Sequence, residues 1–438
     1  MEWYWILIII CIGILIFFAT GTPVAFSFGM LNIICLYLFC GGIRALKIVS
    51  LSAFSSIASF VLVAIPMFVM MGDAITMSGM ANRAFNVFDK LLGRVPARIA
   101  VLTVINAMMF GAVSGSSMAC TAAIGKSMIP EMLKRGYDKT LAIGSVLGGA
   151  ALDILIPPSI LAVVYASLAD LSAGKLLIAG TLPGIMIGSI FILYVIIRAI
   201  INPKLAPAYI PEKVKTIEKI RSSVHILPLV FIFFLVMGLI YLGVATATEA
   251  AALGAGGAFL LGHLTGKGFK WSDIKESLTG TVKVSCMVFL IVMGSKAFGQ
   301  IMAYTGVTAH LAEAVGTLPV SRWWILIGMQ VVVTFLGCLM DPTSIMFITI
   351  PIYTPIIKLL QFDPLWFAII MLINLELGCI TPPFGLNLYV AKGIAPKEIS
   401  MMDIFVSIFP FALMHLAGMV IVMLFPDFFL WLPNKMIQ

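Results

Sequence analysis

The sequence predicts an all-α polytopic membrane protein with two inverted repeats, each containing a re-entrant helical hairpin and a broken helix. Three observations predict it: the composition, the apolar runs, and a match of the chain with itself. Of 438 residues, 61% are hydrophobic and 11% are charged, whereas a soluble domain carries roughly 25% charged residues. Too few polar residues remain to coat a soluble surface. Soluble enzymes and soluble binding modules are therefore excluded.

The charged and sulfur-containing residues exclude further classes. The net charge is +8, but the Lys and Arg residues lie in short clusters between apolar runs, as in cytoplasmic loops, so nucleic acid is not an expected partner. All seven Cys fall within apolar stretches without a CxxC pair, and the four His have no ligand spacing. Neither a disulfide framework nor a zinc site is indicated. The first apolar run has no basic n-region, so we expect a retained span and not a signal peptide.

Apolar runs set the predicted spans, because a bilayer core needs about 20 apolar residues per helix. The candidate spans lie near residues 4–20, 24–40, 55–78, 139–168, 175–199, 224–243, 247–263, 281–304, 364–391 and 403–431. Regions 99–133 and 323–358 are also apolar but are broken in the middle, and each limb is short for a full crossing. We therefore predict re-entrant hairpins there. The polar, proline-containing stretch 201–223 is predicted to link the two halves.

A shift of 225 residues superimposes unusual positions of the two halves. The coincident positions are Ser116-Ser117 with Asp341-Pro342, Pro130 with Pro355, Asp138 with Asp363, and Pro157-Pro158 with Pro382-Pro383. Upstream, Gly79 and Gly306 each precede a short amphipathic stretch. With the N-terminus outside, most Lys and Arg fall in inside loops, as the positive-inside rule requires. The hairpins then open to opposite sides, which is the inverted-repeat pattern of secondary transporters.

The double prolines are predicted to expose main-chain oxygen atoms. A proline has no N–H, so the carbonyl four residues earlier loses its helical partner. Pro157-Pro158 should free the carbonyls of Asp153 and Ile154, and Pro382-Pro383 those of Gly378 and Cys379. Such carbonyls persist at membrane depth only beside protein, water or a cation, and sodium is a natural partner. The alternative is a plain proline kink capped by Ser or Thr side chains.

Several motifs in order resemble the large membrane subunit of tripartite ATP-independent periplasmic (TRAP) transporters. The segments that carry the resemblance are Gly111–Ser117, Ile154–Ile160, Thr246–Ala250, Asp341–Thr343 and Thr381–Asn387. The resemblance covers nearly the whole chain. It implies a sodium-driven importer of organic acids in the bacterial inner membrane, which works with a small four-helix membrane subunit and a periplasmic substrate-binding protein.

The resemblance further implies an elevator-type transporter, with a scaffold and a mobile transport domain. The expected division is 1–95 (scaffold), 96–200 (transport domain with the first hairpin), 201–223 (cytoplasmic linker), 224–318 (scaffold) and 319–438 (transport domain with the second hairpin). Sodium is the expected coupling ion, and no organic cofactor is expected. Gly125-Lys126-Ser127 is similar to the end of a phosphate loop, but Cys120 stands where that loop needs glycine, so ATP binding is not predicted.

We predict two sodium sites, because each hairpin tip offers hydroxyls or a carboxylate and each double proline exposes carbonyls. In the first, the tip residues Ser114, Gly115, Ser116 and Ser117 meet the carbonyls of Asp153, Ile156 and Ser159. In the second, Gly337, Asp341 and Thr343 meet Gly378, Thr381 and Phe384. Asp341 could instead cap the helix that begins at Pro342. The organic anion would lie between the sites, facing the helix N-termini that follow the tips.

Intramembrane polar residues supply the remaining candidates. Lys126, Lys296 and Asn387 are the candidate substrate-binding residues, although Lys126 could snorkel and Lys296 could pair with Asp73 or Asp153. Asp153 also departs from the resemblance, which has glycine before the Ile-Pro-Pro segment. Asn374 and Glu376 are expected to support the second double proline by hydrogen bonding, and Thr246 with Glu249 has capping-box spacing.

Two transporter hypotheses remain open, and an enzyme is set aside. One is the TRAP-type importer subunit, and the other is a self-sufficient sodium and dicarboxylate symporter of similar architecture, which needs no binding protein. A membrane-embedded enzyme should show acids, His or a nucleophile clustered near one interface, and the sequence has no such cluster.

Overall fold

The computed structural model describes residues 2–42, 54–207, 222–266 and 268–436, which are helical and contain no β-strand. Residues 208–221 of the predicted linker lie outside the described residues. The principal α-helices are α1 (Trp3–Ala19), α2 (Val24–Phe39), α3 (Ala64–Met77), α4 (Met80–Leu91), α5 (Arg98–Ser114), α6 (Ser117–Lys134), α7 (Lys139–Ala150), α8 (Ile160–Leu168), α9 (Ala173–Ile201), α10 (Leu227–Tyr241), α11 (Ala247–Thr265), α12 (Trp271–Tyr304), α13 (Val307–Gly316), α14 (Arg322–Gly337), α15 (Pro342–Leu359), α16 (Pro364–Ile380), α17 (Leu386–Ile394), α18 (Met401–Leu424) and α19 (Pro426–Asn434).

The helices include membrane-spanning segments. Six segments of the described chain are long and apolar enough to cross a bilayer: Phe60–Met77, α9, Val224–Tyr241, α12, α15 and α18. Large apolar side chains such as Leu38, Phe234 and Val282 are exposed on the outer helices, while α16 is buried at every residue from Trp366 to Ile380. An apolar exterior of this kind suits lipid contact. The protein is therefore a multi-pass membrane protein.

Several predicted spans have different bounds in the structure. The predicted span 281–304 lies inside a longer helix, because α12 begins at Trp271, where the main chain of Lys270 donates to Asp273 (2.9 Å) in a polar first turn. The span 403–431 is two helices, since Pro426 disfavours a helical conformation at Phe425. Residues 55–78 are also not one helix, because a 3₁₀ turn, Phe60–Val63, precedes α3.

The two predicted hairpins consist of paired helices. In the first hairpin α5 packs on α6, and in the second hairpin α14 packs on α15. The second limbs, 117–134 and 342–359, begin and end 225 residues apart. The helices that follow are capped alike, because Asp138 accepts from the amide of Thr140 (2.8 Å) and Asp363 from that of Leu365 (2.7 Å). The breaks at 139–168 and 364–391 each separate two short helices.

The amphipathic stretches form the short helices α4 and α13. Gly79 and Gly306 precede them with φ of +74° and +73°, left-handed conformations that glycine adopts without steric cost. Arg98 at the start of the first hairpin forms an ion pair with Asp89 of α4 at 3.0 Å. Helix α4 is thereby fixed against the base of the hairpin.

Candidate cation site at the helix breaks

The first break is the turn between α7 and α8, and it contains the cis peptide Pro157-Pro158. In the described residues, no main-chain N–H donates to the carbonyls of Asp153, Ile154 or Ile156. The expectation that the carbonyls of Asp153 and Ile154 have no helical N–H donor is confirmed. The carbonyl of Ser159 instead accepts from the amide of Val163 at 3.3 Å, and its hydroxyl caps α8 through the amide of Ala162 at 3.2 Å.

The tip of the first hairpin packs directly on this break. A Cβ on Gly111 would lie 2.7 Å from the Cβ of Asp153, and one on Gly115 would lie 2.8 Å from Cδ1 of Ile160. Gly115 has a φ of +63°, so glycine is favoured there by both backbone and space. Ser116 caps α6 by accepting from the amide of Ala119 at 3.3 Å. The structure therefore brings the predicted first tip and first break together.

The second break, between α16 and α17, has the cis peptide Pro382-Pro383 and a different hydrogen-bond pattern. The prediction of a free Gly378 carbonyl is wrong. This carbonyl accepts from the amide of Thr381 at 3.2 Å in a tighter turn. The carbonyl of Cys379 has no N–H donor in the described chain. The Thr381 hydroxyl donates to the carbonyl of Leu377 at 2.5 Å, and the Thr381 carbonyl accepts from the amide of Gly385 at 3.1 Å.

The second tip also meets its break. A Cβ on Gly337 would lie 2.6 Å from Cα of Gly378, so the two main chains are in contact. The carboxylate of Asp341 accepts from the amide of Ser344 at 3.1 Å and also from its hydroxyl. The capping alternative for Asp341 is therefore confirmed. Thr343 is half-buried beside it, whereas the ring of Phe384 is exposed.

Glu376 has a role that the sequence did not predict. Its Oε1 accepts from the hydroxyl of Ser117 at 3.1 Å, so it binds the first tip, and the expectation that it supports the second double proline is wrong. Asn374 ties α16 to the second hairpin, because its amide donates to the carbonyl of Gln330 at 2.7 Å and accepts from the hydroxyl of Thr334 at 2.6 Å. No local pattern predicts a contact between Glu376 and a residue of the other half.

The candidate substrate residues lie in different surroundings. Lys126 is exposed on α6, and Lys296 is half-buried on α12. Asn387 is fully buried, and neither polar atom of its amide has a hydrogen-bond partner in the described chain. Lys296 forms no ion pair with Asp73 or Asp153 within the described ranges, so that alternative is wrong. Asp73 instead accepts from the hydroxyl of Ser277 at 3.0 Å.

The Thr246 motif has the structural role that its spacing predicts. The Thr246 hydroxyl accepts from the amide of Glu249 at 3.3 Å, and the Glu249 carboxylate accepts from the amide of Thr246 at 2.8 Å. The reciprocal pair begins α11 as a capping box.

Comparisons with known proteins place this architecture in a family. The family model for the DctM component of the tripartite ATP-independent periplasmic transporter matches residues 11–428. The chain is 32% identical to a C4-dicarboxylate TRAP transporter large permease protein of Rhodobacter capsulatus, over 97% of this chain and 98% of that protein. It is 30% identical to an ectoine TRAP transporter large permease protein of Halomonas elongata, over 98% of each.

A solved structure supports the fold alone. The YdaH transporter of Alcanivorax borkumensis superimposes with a TM-score of 0.62 at 16% identity, covering 90% of each chain. The relatives are transporter permeases and not enzymes. With the family model matching residues 11–428, the chain belongs to the DctM family, the large permease components of tripartite ATP-independent periplasmic transporters.

Proposed function

We propose that this permease imports an organic acid together with sodium ions across the bacterial inner membrane. The observation that carries the proposal is the contact of each hairpin tip with a helix break that contains carbonyls without N–H donors among the described residues, those of Asp153 and Ile156 at the first break and that of Cys379 at the second. Main-chain oxygen atoms and hydroxyls are the ligands that a hard cation prefers. At membrane depth such oxygen atoms need a partner, and a cotransported sodium ion would supply it.

The proposed mechanism is an elevator built from inverted repeats. The 225-residue offset of matched helix bounds supports two repeats, and the basic loops support opposite orientations. In this arrangement, 96–200 and 319–438 form the transport domain, while 1–95 and 224–318 form the scaffold with α4 and α13 as interfacial arms.

We propose one sodium ion at each tip. The first ion lies between Ser114–Ser117 and the carbonyls of Asp153, Ile156 and Ser159. The second lies among Gly337, Asp341, Thr343, Gly378, Thr381 and Phe384, to which the donor-free carbonyl of Cys379 adds a ligand. Each ion would order its tip before the anion binds.

The organic anion would lie between the two ions. The tips precede the N-termini of α6 and α15, where the helix dipole favours negative charge. Lys126, Lys296 and Asn387 remain the candidate side chains for its carboxylate. The relatives named for a C4-dicarboxylate and for ectoine support a small polar substrate. A periplasmic substrate-binding protein would deliver it, and a small membrane subunit would dock on the scaffold.

The variant Thr381→Val tests the sodium sites. Valine keeps the shape and removes the hydroxyl, so the sodium concentration for half-maximal uptake should rise while expression is unchanged. Thr354→Val is the matched control, because Thr354 makes the same type of bond, to the carbonyl of Ile350 at 2.7 Å, away from the tips. An equal sodium dependence in both variants and the wild type would show that the second site is misplaced.

A further inference from the structure

Two acidic side chains from different halves of the chain meet in the protein interior. Asp153 lies in the first break and Glu376 on α16, and each is 1% exposed. Their carboxyl groups lie close enough to interact directly with each other. Within the described ranges, neither carboxyl group lies within 4 Å of a Lys, Arg or His nitrogen. The two acids therefore face each other without a basic partner.

Most oxygen atoms of this pair lack a hydrogen-bond donor. No hydrogen bond of good geometry reaches Oδ1 or Oδ2 of Asp153 or Oε2 of Glu376 from the described residues, although the amide of Ser117 and the Glu376 carboxyl group lie close to the Asp153 carboxyl group. Oε1 of Glu376 accepts from the hydroxyl of Ser117 at 3.1 Å. Burial of a carboxylate costs free energy unless it is paired and hydrogen-bonded. An enclosed set of acceptor atoms with a hydroxyl beside it matches the ligands of a hard cation.

The neighbouring titratable groups do not neutralise the pair. The thiols of Cys120 and Cys379 lie near both acids, and a thiol carries no positive charge. The Cys120 thiol donates to the carbonyl of Ala107 at 3.2 Å, so its hydrogen is already used. No side chain near the pair therefore supplies a positive charge.

Packing of a tip on its break does not require a carboxyl group at the position of Asp153. The position 225 residues later is Gly378, and its main chain alone makes a close contact, because a Cβ on Gly337 would lie 2.6 Å from the Cα of Gly378. The carboxyl group therefore adds a charge at one break and not at the other. An ionisable residue inside a membrane is a functional hypothesis by default.

We propose that the carboxylates of Asp153 and Glu376, with the hydroxyl of Ser117, bind one sodium ion in addition to the two at the tips. This inference rests on the proposed sodium coupling. The ion offsets the negative charges of the pair and connects the first break to α16 of the second half. The first tip could then close only when this ion is present.

Binding of ²²Na⁺ to the purified full-length chain, at constant ionic strength with choline as the replacement cation, tests the proposal. The variants are Asp153→Gly, Asp153→Asn and Glu376→Gln. Asp153→Gly removes the side chain but leaves the Cα of residue 153, which a Cβ on Gly111 would approach to 3.2 Å, and Glu376→Gln keeps an acceptor for Ser117, so both should fold. Asp73→Asn is the control, because Asp73 is another intramembrane acid but is hydrogen-bonded to Ser277.

Each of the three variants should bind one sodium ion fewer than the wild type at saturation, and Asp73→Asn should bind the wild-type number. Melting temperatures without sodium show which variants are folded, and Asp153→Gly decides the result if Glu376→Gln is not. An unchanged number in folded Asp153→Gly would overturn the inference and leave a shared proton as the reason for the pair. Absence of sodium binding by the wild type would instead overturn the proposed function.

Discussion

At the scale of single residues, close main-chain contacts fix the tips on the breaks. Gly337 and Gly378 approach so closely that a methyl group on either would overlap the other's main chain. Such contacts transmit the position of a tip to the break beneath it, because there is no flexible side chain between them to absorb a shift.

The variant Gly337→Ala should therefore destabilise the second hairpin. Overpacking of a tight contact costs about 1–3 kcal/mol, so the melting temperature of the purified protein should fall and sodium-dependent uptake should be lost. Gly328 lies on the same helix, α14, with open space around its Cβ position. The control Gly328→Ala should leave stability unchanged or raise it by up to about 1 kcal/mol. Equal effects of the two substitutions would contradict a special contact at Gly337.

Some contacts of single residues could be predicted from the sequence, and others could not. Proline chemistry predicted the free carbonyls at Asp153 and Cys379, because a missing N–H is a local property. The Gly378 carbonyl is engaged by the amide of Thr381, just before the proline pair, and the missing proline N–H does not determine that tighter turn. The bond between Ser117 and Glu376 joins residues far apart in the sequence, and only the packing of the two halves creates it.

At the scale of helices, matched caps start the helices that lead into both breaks. Asp138 and Asp363 occupy corresponding positions and bond to the first-turn amides of α7 and α16. These caps were visible in the sequence as a coincidence at the 225-residue shift, and the structure gives them a shared physical role. Span ends were less predictable, because hydropathy does not register polar turns that continue a helix, as at Trp271.

The variants Asp138→Ala and Asp363→Ala should each destabilise the protein by about 1 kcal/mol, the usual loss for an N-cap. Thermal unfolding in detergent measures the effect. Asp138→Asn and Asp363→Asn keep an acceptor oxygen and should retain most of the stability. Equal melting temperatures of the alanine and asparagine variants would show that the caps do not stabilise these helices.

At the scale of the whole molecule, the proposed orientation follows from the basic loops. In a cysteine-free background, a Cys at Lys270 should react with a membrane-impermeant maleimide only from the cytoplasm, and one at Thr317 only from outside. Both positions are exposed in the structure. Lys215, a third position with an expected cytoplasmic location, lies outside the described residues. Labelling of Thr317 from the cytoplasm would reject the inverted topology.

Uptake by reconstituted proteoliposomes tests sodium-coupled import by a tripartite transporter most directly. The chain is reconstituted with its small membrane subunit, and the periplasmic protein is added with a labelled organic acid that it binds saturably. We predict accumulation only when an inward sodium gradient and both partner proteins are present. Accumulation by this chain alone under a sodium gradient would contradict the account and identify a self-sufficient symporter, and accumulation without a sodium gradient would contradict the coupling.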